Sequence, residues 1–437
     1  MRRNICAILL VFVLLLSGCA TTMAGVSVIS YPEGRKLEPV SEPEDQPEPA
    51  PVPEPEPPAP PEPTVATLAV CGDAMSHMPL TNDAWNGEKN AYDYVRIMSA
   101  VQPIVSGADY AVVNLETTLA GGPPYSGYPC FNSPDDLAYG LKEIGFDLCL
   151  TANNHSLDKG FSGLSRTLDV LDEVGLAHVG TSRTQEEYDY NIALADVGGI
   201  SVAFLGYTYG TNGIPVHKDH PYSINLFNTD YLTNLSALDT EKLSADLAAA
   251  EALNPDLIAV MIHWGVEYKT TENSYQDKIA DFLFEHGADI VLGGHSHVLQ
   301  PMGLRTISDG DGESHQGFVC YSLGNFISSQ NYELTDTTVA LELELTRNNE
   351  TGKTEVTGYS YSPMFMLDRE EGASPRFELV DAHAALEAGT AGEGLQKQLT
   401  KAIENCHAIL GAEYDSKAFG DYLAQMPELS KAGTETQ

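Results

Sequence analysis

The chain alternates short apolar runs with longer stretches in which apolar residues recur every three or four positions. The short runs predict buried β-strands, and the longer stretches predict amphipathic helices. Seven strands are predicted, at residues 67–70, 110–115, 147–150, 201–207, 257–262, 290–292 and 318–321. Four helices are predicted between them, at residues 137–144, 164–174, 241–252 and 275–286. Strands separated by helix-length segments indicate an α/β fold.

Two pairs of neighbouring apolar segments depart from this alternation. Residues 191–197 and 201–204 flank a pair of glycines, and residues 338–345 and 354–362 flank a turn rich in Asn and Gly. Short turns of this composition are typical of β-hairpins, in which the two strands are antiparallel. Antiparallel strands added to an α/β core predict two mixed sheets rather than one parallel sheet.

The first 18 residues have the layout of a secretory signal. Arg2 and Arg3 precede an apolar run over residues 5–16, which is too short for a transmembrane helix of about 20 residues. The run ends in Leu-Ser-Gly-Cys, which resembles a bacterial lipobox, in which the Cys becomes the lipidated first residue of the mature chain. We therefore expect residues 1–18 to be removed and Cys19 to anchor the chain in the membrane. The alternative is an ordinary signal peptide with a chance Cys.

A proline-rich segment follows the predicted signal. Residues 38–63 are almost only Pro, Glu, Ala and Val, and they contain 12 of the chain's 26 prolines. Such a composition cannot form a core and favours extended polyproline II. We predict a spacer over residues 19–64, a folded domain over residues 65–365, and a C-terminal helical extension with a polar tail over residues 366–437.

The composition is that of a folded but strongly acidic protein. Hydrophobic residues make up 43% of the chain, which excludes a wholly disordered protein. There are 23 Lys and Arg against 62 Asp and Glu, a formal charge of −39, and residues 65–437 alone carry −34. Nucleic acids would be repelled by this charge, so we expect no nucleic-acid partner. Any other anionic polymer would be repelled as well, so contact with one must be local, through metal ions or the few basic residues.

Five short polar motifs lie at or just after the C-terminal ends of predicted strands, where α/β folds bind their ligands. They are Cys71-Gly72-Asp73, Asn114-Leu115-Glu116, Asn153-Asn154-His155, His263-Trp264-Gly265 and Gly293-Gly294-His295-Ser296-His297. Carboxylate, carboxamide and imidazole groups are ligands of Zn, Mn or Fe. Taken singly, each motif has a structural alternative, such as a turn role for Asp73 or a capping role for Glu116. Together the motifs predict a metal site.

The five motifs in this order resemble the CapA family of poly-γ-glutamate capsule biosynthesis proteins, which is itself similar to the calcineurin-like metallophosphoesterases. The resemblance covers about residues 66–330 and includes residues 207–213 and 322–326. It implies a metallophosphoesterase-like α/β fold, a four-layer α-β-β-α sandwich with mixed sheets. It also implies a role in the synthesis, export or anchoring of poly-γ-glutamate or another anionic envelope polymer.

The resemblance also implies roles for individual residues. Two divalent ions, of Mn, Zn or Fe, would be held by six ligands, namely Asp73, Glu116, Asn153, His263, His295 and His297. Asp73 and His297 would belong to the first metal position, and Glu116 would bridge the two. His155 would be the catalytic imidazole that protonates a leaving oxygen. The substrate-binding residues would be Asn154, Asn212 and Asn325.

The first motif departs from the metallophosphoesterase pattern. Those enzymes have Asp-x-His, whereas this chain has Asp73-Ala74-Met75. Because a thioether is a poor ligand for Mn or Mg, we expect the first metal position to be weak or empty, unless His77 replaces the missing ligand. Glu116 is also longer than the Asp that usually bridges the two metals.

The sequence thus predicts an extracytoplasmic protein, lipid-anchored to the cell membrane, that acts on poly-γ-glutamate or a related envelope polymer. Membrane synthase or export subunits are candidate partners. One alternative is an exported metal-dependent phosphoesterase, a hydrolase with no polymer role. Another is a degenerate, non-catalytic lipoprotein that binds the polymer, and Met75 favours this alternative over the phosphoesterase.

Overall fold

The structure is a computed structural model that describes residues 61–189, 191–308 and 314–417. The predicted signal, the predicted lipidation site Cys19 and nearly all of the predicted spacer lie outside the described residues. So does the end of the predicted polar tail. None of the described helices is both long and apolar enough to span a membrane.

Strands and helices alternate through most of the described chain. The strands are β1 (Thr64–Ala74), β2 (Trp85–Asn86), β3 (Ala91–Tyr92), β4 (Tyr110–Leu115), β5 (Leu148–Leu150), β6 (Ala177–Val179), β7 (Ala193–Val197), β8 (Ile200–Thr208), β9 (Leu257–His263), β10 (Ile290–Gly294), β11 (Leu299–Ser308), β12 (Ser314–Leu323), β13 (Asn325–Ile327), β14 (Thr337–Arg347), β15 (Thr354–Asp368) and β16 (Phe377–Asp381). The α-helices are α1 (Met78–Ala84), α2 (Tyr94–Met98), α3 (Gln102–Val105), α4 (Asp136–Ile144), α5 (Gly160–Val174), α6 (Gln185–Asp189), α7 (Thr240–Glu251), α8 (Ser274–Glu285), α9 (Ala382–Glu387) and α10 (Glu393–Leu410).

Most strands belong to two large mixed sheets. The first sheet has the order β16-β15-β14-β1-β4-β5-β6, with β13 added beside β1. Its strands β1, β4, β5 and β6 are parallel, whereas β14, β15 and β16 run antiparallel to their neighbours. The second sheet has the order β11-β12-β10-β9-β8-β7, with parallel central strands and an antiparallel strand at each edge.

Apolar side chains pack in three layers between and outside the sheets. Leu68 and Val112 of the first sheet face Phe204 and Ile290 of the second sheet in the central layer. Helices α2, α4 and α5 cover the outer face of the first sheet, and α7 and α8 cover that of the second. Burial of each large apolar side chain contributes about 1.5–3 kcal/mol, so these layers are the main source of stability. The predicted four-layer α-β-β-α sandwich with mixed sheets is confirmed.

The predicted elements are all present. Each of the seven strands and four helices agrees with its prediction to within about four residues, because the period of the apolar residues marks which face is buried. Both hairpins are antiparallel pairs, β7 with β8 and β14 with β15. The sequence missed short elements such as α1, α2 and β13, which contain too few residues to show a period.

The C-terminal helices extend the core. Phe365 and Leu367 of β15 pack against Leu399 of α10, and Cys406 reaches the layer between the two sheets. The boundary predicted at residue 365 lies inside β15, and β16 continues the same sheet. The division of the chain into domains stays a prediction.

Two glycines leave room for close contacts around the end of β1. A Cβ atom on Gly72 would lie 2.0 Å from the carbonyl oxygen of Gly324, between β12 and β13, and one on Gly294 of β10 would lie 2.6 Å from Asp73 Oδ1. Real Cβ atoms do not approach so closely, so glycine is favoured at both positions. The absence of a side chain at Gly294 thus lets Asp73 lie against β10.

Candidate metal centre

Titratable side chains from both sheets meet at one buried point. They are Asp73, Glu116, His263, His295 and His297. The ligand atoms of Glu116, His263 and His295 lie within 4.8 Å of one another, and so do those of Asp73, Glu116 and His297. All five residues are at most 4% exposed. The structure thus brings together five of the six predicted metal ligands in two groups that share Glu116.

Glu116 has a buried carboxylate that accepts no hydrogen bond from any described residue. Its Oε1 lies 3.4 Å from His263 Nε2, and its Oε2 lies 4.0 Å from His297 Nδ1. Among the described residues, neither oxygen has a hydrogen-bond partner. Burial of an ionised carboxylate without compensation costs several kcal/mol, which cations beside it would offset. The donor set around Glu116 therefore fits bound metal.

Asp73 is oriented by neighbouring donors. Its Oδ1 accepts a hydrogen bond from Asn114 Nδ2 at 2.7 Å, and its Oδ2 accepts one from the His295 backbone at 3.1 Å. Burial alone would raise the pKa of Asp73, but the neighbouring His297 and His263 hold it below its usual value. Asp73 is therefore ionised, as a metal ligand must be.

The histidine loop after β10 is strained. His295 and His297 have φ of 95° and 59°, in the left-handed region that residues other than glycine rarely adopt. Such strain is concentrated at functional sites. Both Nδ1 atoms are buried and have no hydrogen-bond partner among the described residues.

The two histidines differ in charge. Burial, with the nearby His263 and His297, lowers the pKa of His295 well below its usual value, so its imidazole is neutral. Burial would also lower the pKa of His297, but Glu116 and Asp73 raise it to about 9. A metal ion would bind the neutral His295 directly and would displace a proton from His297.

Asn114 connects the ligands to one another. Its Nδ2 donates to Asp73 and lies 3.2 Å from His263 Nδ1, and its Oδ1 accepts from Asn153 Nδ2 at 3.2 Å. Asn114 lies in the Asn-Leu-Glu motif, but no role was predicted for it. Its position at the end of β4, beside the end of β1, could have indicated that it contacts Asp73.

Asn153 and Asn154 differ in the contacts that they make. Asn153 Nδ2 donates to the Leu115 carbonyl at 2.8 Å, and its Oδ1 accepts from the His155 backbone at 3.1 Å. Asn153 thus hydrogen-bonds through both of its polar groups, and its role as a metal ligand stays a prediction. Asn154 Oδ1 lies 2.9 Å from His263 Nε2 instead. Asn154 therefore lies beside a metal-capable residue, and its predicted role in binding substrate stays a prediction.

His155 lies beside the centre in a fixed orientation. Its Nδ1 lies 2.7 Å from Asp158 Oδ2, and both side chains are buried. The Phe131 ring packs edge-on against the imidazole, with 4.7 Å between the ring centroids. Contact with Asp158 leaves Nε2 as the nitrogen available for proton transfer. Sequence analysis missed Asp158, although its spacing of three residues from His155 was visible.

The other two predicted substrate contacts lie near the centre. Asn212 Oδ1 accepts from Asn154 Nδ2 at 3.1 Å. Asn325 is paired with Asp73 across β1 and β13, and its buried Oδ1 has no partner among the described residues. A role of Asn212 and Asn325 in binding substrate stays a prediction.

Among the described residues, His77 belongs to no metal-capable group of His, Cys, Asp and Glu side chains. Met75 is buried, and its backbone N–H donates to the Ile327 carbonyl. His77 lies 3.4 Å from Ser328 Oγ and packs against Phe131. Burial, with the neighbouring imidazoles, lowers the pKa of His77 to about 4. The structure therefore does not put His77 in the place of the missing ligand.

Tyrosines and one further acid surround the centre on its solvent side. The Tyr209 ring lies 4.5 Å from that of His295, and the Tyr268 ring lies 4.6 Å from that of the exposed Tyr332. Glu267 is exposed, and its carboxylate lies within 4.8 Å of ring nitrogens of His295 and His297. Sequence analysis missed Glu267, which comes two residues after the His-Trp-Gly motif.

Comparison with known proteins agrees with these motifs. A family model described as bacterial capsule synthesis protein PGA_cap matches residues 67–330. The capsule biosynthesis protein CapA of Bacillus anthracis is 29% identical over 265 residues, which cover 59% of this chain and 60% of that protein. The PGA biosynthesis protein CapA of Bacillus subtilis is 28% identical over 266 residues, which cover 60% and 64%. The chain thus spans less than two thirds of the length of these relatives.

Among solved structures, the chain is similar to a novel phosphatase from Mycoplasma pneumoniae. The TM-score is 0.39 and the identity 13%, over 69% of this chain and 94% of that chain. The family match covers more than half of this chain and confirms the resemblance that its motifs indicate. The chain belongs to the bacterial capsule synthesis protein PGA_cap family.

Proposed function

We propose that this chain is a surface-tethered protein for the synthesis, export or anchoring of poly-γ-glutamate or a related anionic envelope polymer, and that it acts through a metal centre. The family supports the polymer, since its relatives are named for capsule and PGA biosynthesis. The observation that carries the metal centre is the Glu116 carboxylate, which is fully buried between His263 and His297 without a hydrogen bond from any described residue.

Two divalent ions would be held by side chains of both sheets, namely Asp73, Glu116, Asn154, His263, His295 and His297. Bound Mn, Zn or Fe would supply Lewis-acid activation of a phosphoryl or carboxyl oxygen and a water of lowered pKa. The strained loop after β10 would present His295 and His297 to the ions. Asn114 would hold the side chains of Asp73 and His263 in fixed positions relative to each other.

His155 would move the proton in a hydrolytic or transfer step. Asp158 fixes the imidazole through Nδ1, so Nε2 would be the nitrogen that donates a proton to the leaving oxygen. Burial and the Glu116 and Glu267 carboxylates raise the pKa of Tyr209, so its hydroxyl stays protonated at neutral pH. Tyr209 would therefore donate a hydrogen bond to a bound anion.

Contact with the polymer would be confined to the metal centre. The acidic domain and a polyanion repel each other, but this repulsion is screened beyond about 8 Å at physiological ionic strength. A single chain end or a single bond of the polymer would therefore enter the site, rather than a long segment lying along the surface. An acidic domain could thus bind an acidic polymer at a single point.

Cys19 and the spacer would hold the domain outside the membrane. Acyl chains on Cys19 would anchor it, since each buried CH₂ contributes about 0.8 kcal/mol. The proline-rich residues 38–63 would extend over about 80 Å in polyproline II. The domain would thus meet the polymer within the cell envelope, near membrane synthase or export subunits.

Complementation of a deletion strain tests the proposal. Wild type should restore cell-bound polymer, and Glu116→Gln should not, whereas Glu333→Gln, at an exposed acid, should behave as wild type. Cys19→Ser should release the protein into the medium. Unchanged polymer in the deletion strain would contradict the polymer role, and membrane retention of Cys19→Ser would contradict the lipid anchor.

A further inference from the structure

The metal position at His297 has room for one more protein ligand. Asp73, Glu116 and His297 form the metal-capable group at this position. Metallophosphoesterases have a histidine where this chain has Met75, which is buried and whose thioether is a poor ligand for Mn. Three side chains leave at least one coordination position of a divalent transition ion to water or to a further side chain.

Glu267 is the acid on the solvent side of this position. Its carboxylate lies within 4.8 Å of ring nitrogens of both His295 and His297. The two histidines are buried, and the Nδ1 atom of each has no hydrogen-bond partner among the described residues. Two buried imidazoles within reach of one carboxylate are a donor set for a metal ion.

Backbone hydrogen bonds hold Glu267 beside these histidines. Trp264 N–H donates to the Gly294 carbonyl at 3.2 Å, and Tyr268 N–H donates to the Ser296 carbonyl at 2.8 Å. The segment that carries Glu267 is thus tied at both ends to the histidine loop. Tyr268 has φ of 62°, which turns the chain directly after Glu267. The fold therefore fixes the position from which this side chain reaches the centre.

We propose that Glu267 binds, from the solvent side, the metal ion held by Asp73, Glu116 and His297, and so replaces the ligand that Met75 cannot provide. This inference rests on the proposed metal centre. Three carboxylates around two divalent ions leave one net positive charge. The centre would thus be matched to a group with one negative charge, such as a carboxylate of a γ-glutamyl unit or a phosphodiester.

Calorimetric titration of the purified, chelator-treated full chain with MnCl₂ tests the assignment. Glu267→Gln should raise the Kd of one ion about 10–100-fold and leave the other ion unchanged. Glu272→Gln, in the same loop and outside every metal-capable group of the described residues, is the matched control and should bind as wild type. The double variant Asp73→Asn with Glu267→Gln should lose the same single ion as Asp73→Asn.

Each other outcome has a distinct meaning. Wild-type Mn affinity in Glu267→Gln would overturn the assignment. In a second outcome, Glu267→Gln loses a third ion while two ions stay bound at wild-type affinity. Glu267 would then serve a separate position, and this result would overturn the assignment as well. Failure of the wild type to bind Mn would overturn the proposed centre together with this inference. Thermal unfolding in EDTA checks that the variant folds, as expected for an exposed side chain.

Discussion

Glu116 Oε1 lies 3.4 Å from His263 Nε2, and both residues are 0% exposed. No described residue donates a hydrogen bond to either oxygen of Glu116. A buried charge is tolerated in a folded protein when a counter-charge lies beside it. Cation binding at Glu116 should therefore be coupled to the stability of the whole domain.

Glu116→Gln should weaken the metal-free protein and abolish its stabilisation by metal. Below about pH 9 the Glu116 carboxylate faces the protonated His297, so its removal should lower the free energy of unfolding in EDTA by about 1–3 kcal/mol. Mn at 100 times its Kd should stabilise wild type by about 2.7 kcal/mol for each bound ion and should not stabilise the variant. Thermal unfolding with EDTA or Mn measures both effects, with Glu333→Gln as the exposed control. Equal stabilisation of Glu116→Gln and wild type by Mn would contradict the role of Glu116.

Substitution of Asn153 should affect mainly stability, whereas substitution of Asn154 should affect mainly metal binding. Asn153→Ala removes buried hydrogen bonds to Leu115 and His155, so it should lower the free energy of unfolding by about 1–3 kcal/mol. Asn154→Ala should raise the Kd for Mn about 10–100-fold with less effect on metal-free stability. Urea unfolding and Mn titration of both variants give the comparison. The reverse pattern would identify Asn153, and not Asn154, as the ligand.

The stability of the metal-free protein should fall between pH 6.5 and 9 because of His297. Burial opposes the shift, but Glu116 and Asp73 raise the pKa of His297 from 6.5 to about 9. A raised pKa in the folded state stabilises the fold fully below the unfolded value, and this stabilisation disappears as pH rises through about 9. The contribution is roughly 3 kcal/mol.

Urea unfolding in EDTA at pH 6.5 and pH 9 measures this contribution. The difference between wild type and His297→Gln should be largest at pH 6.5 and should disappear above pH 9. A difference that is independent of pH would show that His297 does not carry the proton. Mn affinity should rise over the same pH range, because the metal displaces that proton.

His155 and Asp158 should affect turnover without affecting metal content. His155→Ala should lower kcat for a model phosphodiester or γ-glutamyl substrate about 10²–10⁴-fold, the usual contribution of a general acid. Asp158→Asn should cause a smaller loss, because the imidazole remains but loses its orientation. Steady-state kinetics with Mn-loaded protein provides the test. Loss of metal in either variant would instead indicate a role in holding the ions.

The sequence was sufficient to predict the layers of the fold because apolar periodicity marks buried faces over long elements. Residues 257–262 are all apolar, as expected for a central strand covered on both faces, and β9 lies there. Elements such as β13, with three residues, carry no such period. Their positions depend on pairing with distant strands, which a local pattern does not encode.

Part of the candidate site was predictable because the strands that carry it were predictable. Asp73 and His263 lie at the ends of β1 and β9, and Glu116 directly follows β4, so their positions at strand ends were visible in the sequence. The choice between Asn153 and Asn154 depends on side-chain direction within one loop, which neighbouring hydrogen bonds decide. Glu267 approaches through a loop that backbone contacts tie to the histidine segment. These contacts become visible only in three dimensions.

Metal content per chain tests the proposed centre most directly. Inductively coupled plasma mass spectrometry should measure the ions bound per chain in the purified full chain after reconstitution with Mn or Zn. Wild type should be compared with the double variant His295→Ala with His297→Ala. We predict close to two ions per wild-type chain and their loss from the double variant. Wild-type protein that binds neither Mn nor Zn, or a double variant that retains both ions, would contradict the metal centre.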